Sequence, residues 1–120
     1  MPPKPIKATA HGVLDYAFVA TFLGAPRALG LNTRIRNLFW LSGATMGTVN
    51  AVTDHPVGLK PLISLRTHGW LELASLPAFI GVPVAAHAVD DPKARATWLA
   101  MLAVTLSAYV LTDWDAPADS

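Results

Sequence analysis

The sequence predicts an all-α protein, a four-helix transmembrane bundle built from two tandem repeated helical hairpins. Apolar residues make up 52% of the 120-residue chain and charged residues only 14%, about half the charged share of a soluble domain. No charged residue occurs from Leu38 to Val52 or from Thr97 to Thr112, whereas the helices of a soluble bundle carry charge on one face. An internal repeat predicts the two hairpins.

Four apolar segments define the predicted helices in order. The first spans about 10–30, the second 37–53, the third 68–89 and the fourth 96–112, and a helix that crosses a bilayer needs about 17–25 residues. Pro77 is expected to kink the third helix, because proline removes a backbone donor and clashes with the preceding turn. Tryptophans, which membrane interfaces favour, lie near the segment ends: Trp40, Trp70, Trp98 and Trp114.

The internal repeat aligns two stretches without a gap. HGVLDYAFVATFLGAPRA at 11–28 matches HGWLELASLPAFIGVPVA at 68–85 at its His, Gly, Leu, Ala, Phe, Gly, Pro and Ala positions. Both halves end an apolar segment with Thr-Asp, at 53–54 and at 112–113. A long period that occurs only twice indicates duplication of a two-helix unit rather than a solenoid.

The duplication also predicts the domain organisation. We expect a single membrane domain over 1–120, with repeat 1 at about 11–56 and repeat 2 at about 68–117. Two helices per copy make both copies point the same way, related by a pseudo-twofold axis along the membrane normal. Basic residues are divided almost evenly between the two sides, so the positive-inside rule leaves the topology open.

A histidine and a carboxylate open the first helix of each repeat. His11 and Asp15 are four residues apart, as are His68 and Glu72, and residues at this spacing share one face of a helix. If both pairs face the bundle axis, two imidazoles and two carboxylates meet. Two further carboxylates, which end the second and fourth segments, complete a predicted polar cluster at one membrane face: Asp54 and Asp113.

Three functions are compatible with this cluster. The sequence favours a non-catalytic accessory or structural subunit, embedded in the lipid bilayer and associated with a larger membrane protein or with itself, whose polar groups only pair with one another. The second is a metal- or haem-binding membrane protein, because helix bundles bind metals with inward-pointing histidines and carboxylates and haem takes axial histidines. The third is a small transporter or ion-conducting protein.

Composition and motifs exclude other classes. The chain has no cysteine, which removes disulfides, thiolate metal sites and cysteine nucleophiles. Its net charge of +1 provides no basic field for nucleic acid. The G-x-S-x-G, P-loop, H-E-x-x-H and G-x-G-x-x-G motifs are all missing, so the sequence favours no enzyme class and identifies no particular cofactor.

The assembled pattern resembles a known family. The HGVLDY opening of the first helix, the Thr-Asp end of the second, the VGLKPLISL connector and the HGWLEL opening of the third are similar to the SPW-repeat family of small bacterial integral membrane proteins. The resemblance covers about 11–114 and implies a four-helix, two-repeat protein of the bacterial cytoplasmic membrane, without implying an activity. The namesake Ser-Pro-Trp motif is degenerate, reading Ala-Pro-Arg at 25–27 and Val-Pro-Val at 82–84, and Glu72 stands where the family has aspartate.

Overall fold

Four long helices dominate the computed structural model, which describes residues 3–120. α1 is Ala8–Ala28, α2 is Thr33–Ala51, α3 is Leu65–Ala85 and α4 is Pro92–Leu111, and a short 3-10 helix, Ala88–Asp90, precedes α4. Strand-like pairing within residues 3–120 is limited to two isolated bridges. The predicted all-α class with four helices is therefore confirmed.

Polar caps explain why α2, α3 and α4 begin a few residues before their apolar segments. The residue before each of these helices accepts a hydrogen bond from backbone N–H groups of the first turn: Asn32, Ser64 and Asp91. Such caps satisfy donors that the helix itself leaves unpaired. Pro92 takes the first position of α4, where its missing N–H removes no helical bond.

Aromatic side chains form the core at the end of the bundle where α1 joins α2. Phe22 and Phe39 are fully buried, and Trp98 contacts both edge-on, with ring centroids 5.0 and 5.1 Å away. The Trp98 indole N–H donates to the Phe79 carbonyl oxygen at 2.8 Å. Because Pro83 has no N–H to give that carbonyl, the indole replaces the missing helical bond, and α3 remains helical through the proline.

Two short backbone contacts hold the opposite end of the bundle. Ile6, before α1, forms a parallel bridge with Thr112, after α4, and Ile63, before α3, forms one with Thr53, after α2. The aspartate that follows each threonine donates its backbone N–H to the bridged isoleucine at 2.8 Å. The segment before α1 therefore lies beside the segment after α4, and the segment before α3 lies beside the segment after α2.

Large apolar side chains cover the outside of the helices. Leu41 in α2, Ile80 in α3 and Val110 in α4 are 65%, 50% and 63% exposed. Among the described helices, one is long and apolar enough to cross a membrane by length and composition: Pro92–Leu111. The predicted transmembrane bundle and the repeat stay predictions at this level.

Candidate metal centre

Two histidines and two carboxylates meet between α1 and α3. His11 and Asp15 lie near the start of α1, and His68 and Glu72 lie at the matching positions of α3. None of the four residues is more than 6% exposed. One ligand atom from each lies within 4.8 Å of the other three, so the two pairs face each other across the helix interface.

The four ligand atoms alternate between nitrogen and oxygen. The Nε2 atom of His68 lies 2.9 Å from Oδ2 of Asp15 and 3.7 Å from Oε2 of Glu72. The Nε2 atom of His11 lies 3.3 and 3.5 Å from the same two oxygens. Each imidazole nitrogen is therefore placed between two carboxylate oxygens, one from its own helix and one from the other.

These four buried atoms make no hydrogen bond. Nε2 of both histidines, Oδ2 of Asp15 and Oε2 of Glu72 all lack a partner with acceptable geometry. The 2.9 Å contact between Nε2 of His68 and Oδ2 of Asp15 has the distance of an ion pair but is not a hydrogen bond. A buried polar group without a partner costs about 1–3 kcal/mol, and more when it is charged, so four that converge on one point need an explanation beyond packing.

Threonines that follow the other two helices orient both imidazoles. Nδ1 of His11 lies 2.9 Å from Oγ1 of Thr112, and Nδ1 of His68 lies 2.7 Å from Oγ1 of Thr53. Each threonine hydroxyl donates its own hydrogen to the carbonyl oxygen four residues earlier. Because a hydroxyl has one hydrogen, it accepts from the imidazole, which places a proton on Nδ1 of each ring. The other ring nitrogen, Nε2, then faces the carboxylates.

Trp114 covers the cluster on the side of the chain ends. Its indole ring lies 4.7 Å from the His11 ring and 6.1 Å from the His68 ring, between centroids. This approach requires a glycine at position 69, because a Cβ atom there would lie 2.7 Å from the indole. The tryptophan therefore limits the access of water to the two imidazoles.

After α2, His55 occupies the position that Trp114 occupies after α4: it packs against a glycine of the facing helix. His55 is 6% exposed and packs against Gly12, where an added Cβ atom would lie 2.8 Å from its imidazole. Its Nε2–H donates to Oδ1 of Asn50 at 2.8 Å, and Asn50 donates to the Gly12 carbonyl oxygen. Burial lowers the pKa of His55, which favours the neutral ring in this position.

The structure does not bring Asp54 and Asp113 into the group of four. Asp54 is exposed, and Asp113 forms an ion pair with Lys7 at 2.9 Å. The hydrogen bond from Lys7 lowers the pKa of the Asp113 carboxyl. Successive side chains of extended backbone point to opposite sides, so the threonine of each Thr-Asp pair turns inward and its aspartate turns outward. In each Thr-Asp pair, the threonine and not the predicted aspartate contacts the cluster.

Comparison with known proteins adds no assignment. No protein-family model matches the chain, and no curated protein and no solved structure is significantly similar to it. The resemblance to the SPW-repeat family stays a prediction.

Proposed function

We propose that this protein is a small membrane protein that binds one divalent first-row transition-metal ion between α1 and α3. The ligands are Nε2 of His11 and His68 and a carboxylate oxygen each of Asp15 and Glu72. The observation that carries the proposal is the convergence of these four buried atoms, none of which has a hydrogen-bond partner. A cation at their centre satisfies all four at once.

The spacing of the four atoms suits a tetrahedral ion. Zinc binds histidine nitrogen and carboxylate oxygen at about 2.0–2.2 Å, which sets neighbouring tetrahedral ligand atoms about 3.3 Å apart. The four nitrogen–oxygen distances between the histidines and the carboxylates are 2.9, 3.3, 3.5 and 3.7 Å. All six separations lie within 4.8 Å, so the nitrogen–oxygen pairs already suit the ion, whereas the nitrogen–nitrogen and oxygen–oxygen pairs must close by up to about 1.5 Å as the side chains bind it.

Charge and ligand type favour the same class of ion. Two ionised carboxylates and a divalent cation sum to zero, which removes the cost of burying an unpaired charge. Imidazole suits zinc and iron better than calcium or magnesium. The hydrogen bonds from Nδ1 to Thr53 and Thr112 are the outer contacts that fix the tautomer of metal-bound histidines.

A bare ion is favoured over haem. Axial ligation by two histidines needs a flat macrocycle between the two Nε2 atoms. Here the oxygens of Asp15 and Glu72 lie within 3.7 Å of both nitrogens, in the space that the macrocycle would need. The carboxylates that disfavour haem are the groups that complete the ligand set of a metal ion.

Helix length and surface support the membrane part of the proposal. The four helices have 19 to 21 residues, or about 30 Å at 1.5 Å per residue, which matches the hydrocarbon thickness of a bilayer. Their exposed residues are rich in leucine, isoleucine and valine, while the buried set includes two histidines, a glutamate and an aspartate. This distribution suits a bundle with lipid outside and polar ligands inside.

The crossed contacts between the halves support the two-hairpin repeat. His11 pairs with the threonine that follows α4, and its counterpart His68 pairs with the threonine that follows α2. The backbone bridges connect the two halves in the same crossed way, Ile6 with Thr112 and Ile63 with Thr53. A pseudo-twofold axis through the ion, along the membrane normal, relates the two sets of contacts.

The accessory role that the sequence favours is compatible with a metal centre. Structural zinc sites have four protein ligands and stabilise a fold, whereas catalytic sites leave one position for a water molecule. An ion with four protein ligands is therefore of the structural type. Ion conduction has less support, because the four ligands lie about 5–10 Å from the start of their helices, near one end of the bundle. We therefore propose a structural ion that joins α1 to α3.

Membrane insertion is tested by fractionation. We expect the full chain, expressed in a bacterium, to remain in the membrane pellet after washing with alkaline carbonate, because four buried apolar helices resist extraction. Release of most of the protein into the supernatant would contradict the membrane proposal, whatever the metal content.

Metal binding is tested by the metal content of detergent-purified protein. We expect about one first-row transition-metal ion per chain, or the same after incubation with Zn²⁺, because the chain offers one four-ligand site. The double variant His11→Ala/His68→Ala should bind less than a tenth of that amount. His87→Ala is the matched control, since His87 is 69% exposed in its side chain and pairs with Asp90 away from the cluster. Equal metal content in the wild type and the double variant would refute the site.

A further inference from the structure

A long apolar cleft runs between α2 and α3. Its volume is about 410 Å³, within the range of small-molecule sites. On α3 it extends from His68 to Val82, a distance of about 20 Å along the helix. A site this long and narrow suits an elongated molecule rather than a compact one.

The cleft opens on the apolar outer surface. Leu41 of α2 and Leu71 and Val82 of α3 belong to its wall and are 65%, 46% and 45% exposed. Phe79 and Trp98 line its end near the aromatic core. A molecule dissolved in the membrane can therefore enter sideways, between the two helices.

Polar groups are confined to a small part of the wall. His68 and Glu72 lie in it and also belong to the proposed metal centre. The hydroxyls of Ser42 and Ser75 donate to carbonyl oxygens of their own helices, so both offer only lone pairs to a ligand. None of the described residues that line the cleft is a lysine or an arginine, and the two carboxylates already balance the proposed divalent ion, so an anionic head beside Glu72 has no counter-charge.

We propose that this cleft binds an elongated apolar molecule with a neutral hydroxyl head. The head donates a hydrogen bond to an oxygen of Ser42, Ser75 or Glu72, and the chain lies along α3 toward Phe79 and Trp98. This inference rests on the proposed membrane position of the protein, and the cleft shares His68 and Glu72 with the proposed metal centre. The ligand is thus placed beside the ion, on the side that Trp114 does not cover.

Photolabelling tests this site in the full chain, reconstituted in phosphatidylcholine vesicles. The probe is a long-chain primary alcohol with a mid-chain diazirine, and crosslinked residues are located by mass spectrometry. We expect labelling at Met46, Ser75 or Phe79 at least tenfold above exposed positions of α4 such as Leu99. The alkane and the fatty acid of equal length, each with the same diazirine, should label the cleft at least tenfold less than the alcohol.

Two matched variants sharpen the result. Ala78→Trp fills the cleft wall and should abolish its labelling, whereas Ala103→Trp, at an exposed position of α4, should leave it unchanged. Equal labelling by alcohol and alkane, or labelling spread evenly over all helices, overturns the inference. Both of these results are measured on the wild type, so they do not depend on the folding of a variant. Metal content measured on the same vesicles separates the two proposals. Bound metal without cleft labelling refutes this inference only, and cleft labelling without bound metal refutes the metal centre only.

Discussion

Replacing His68 with alanine is expected to lower the free energy of unfolding by about 3–5 kcal/mol, the usual cost of removing one partner from a buried charged pair. The Nε2 atom of His68 lies 2.9 Å from Oδ2 of Asp15, a residue only 6% exposed. Without the imidazole, that carboxylate loses its nearest compensating group. Chemical unfolding in detergent, followed by circular dichroism with a chelator present, isolates this effect from metal binding.

His87→Ala is the control for this experiment. Its imidazole pairs with Asp90 at 3.1 Å on the surface, so its loss should change stability by no more than about 0.5 kcal/mol. Replacing all four cluster residues by leucine should recover most of the loss, because apolar groups of similar size often replace buried ion pairs at no cost. A His68→Ala protein as stable as His87→Ala would show that the cluster is not an interacting unit.

Replacing Thr53 with valine is expected to weaken metal affinity about 10–100-fold, the usual effect of losing an outer contact to a ligating histidine. Valine keeps the shape of the side chain but cannot accept the hydrogen bond from Nδ1 of His68. The ring then loses the contact that sets its tautomer and aims Nε2 at the ion. Competition with a Zn²⁺ chelator of known affinity measures the change, and Thr112→Val should act alike through His11.

Thr48→Val, near the end of α2, provides a matched control for Thr53→Val. Thr48 also donates its hydroxyl to the carbonyl oxygen four residues earlier, at 2.8 Å, but it is exposed and contacts no histidine. Its replacement should leave the affinity unchanged, and Thr53→Ser, which retains a hydroxyl, should retain most of the affinity. If Thr53→Val binds Zn²⁺ as tightly as Thr48→Val does, the threonine does not orient a metal ligand.

The crossed threonine contacts make the centre depend on both halves of the chain. His11 needs Thr112 and His68 needs Thr53, so neither hairpin can orient its own histidine. The two i,i+4 pairs within α1 and α3 would supply the metal ligands, while the threonine that follows the last helix of the other hairpin would orient each histidine. A metal ion at this position would therefore report that the two halves have docked correctly.

The sequence predicted the helices and the two histidine–carboxylate pairs because both depend on local periodicity. Uncharged segments of helical length determined where the helices lie, and the spacing of four residues placed His11 beside Asp15 and His68 beside Glu72. The sequence left open whether the two pairs meet, because that depends on how α1 and α3 pack against each other.

The remaining contacts depend on tertiary geometry that local patterns do not encode. The extended backbone after α2 and α4 directs Thr53 and Thr112 inward, so Asp54 and Asp113 point away from the cluster. Trp114 suited an interfacial position by hydropathy, yet its ring packs against His11 because Gly69 leaves the space. Both outcomes follow from how the two hairpins dock, which a periodic pattern does not specify.

X-ray absorption at the zinc edge of Zn²⁺-loaded protein tests the metal centre most directly. We predict two imidazole nitrogens at about 2.0–2.1 Å and two carboxylate oxygens at about 2.0–2.2 Å, with the multiple-scattering features of imidazole lost in His11→Ala/His68→Ala and retained in His87→Ala. A zinc shell of oxygens without imidazole in the wild type, or the same spectrum in the double variant, would contradict the proposed centre.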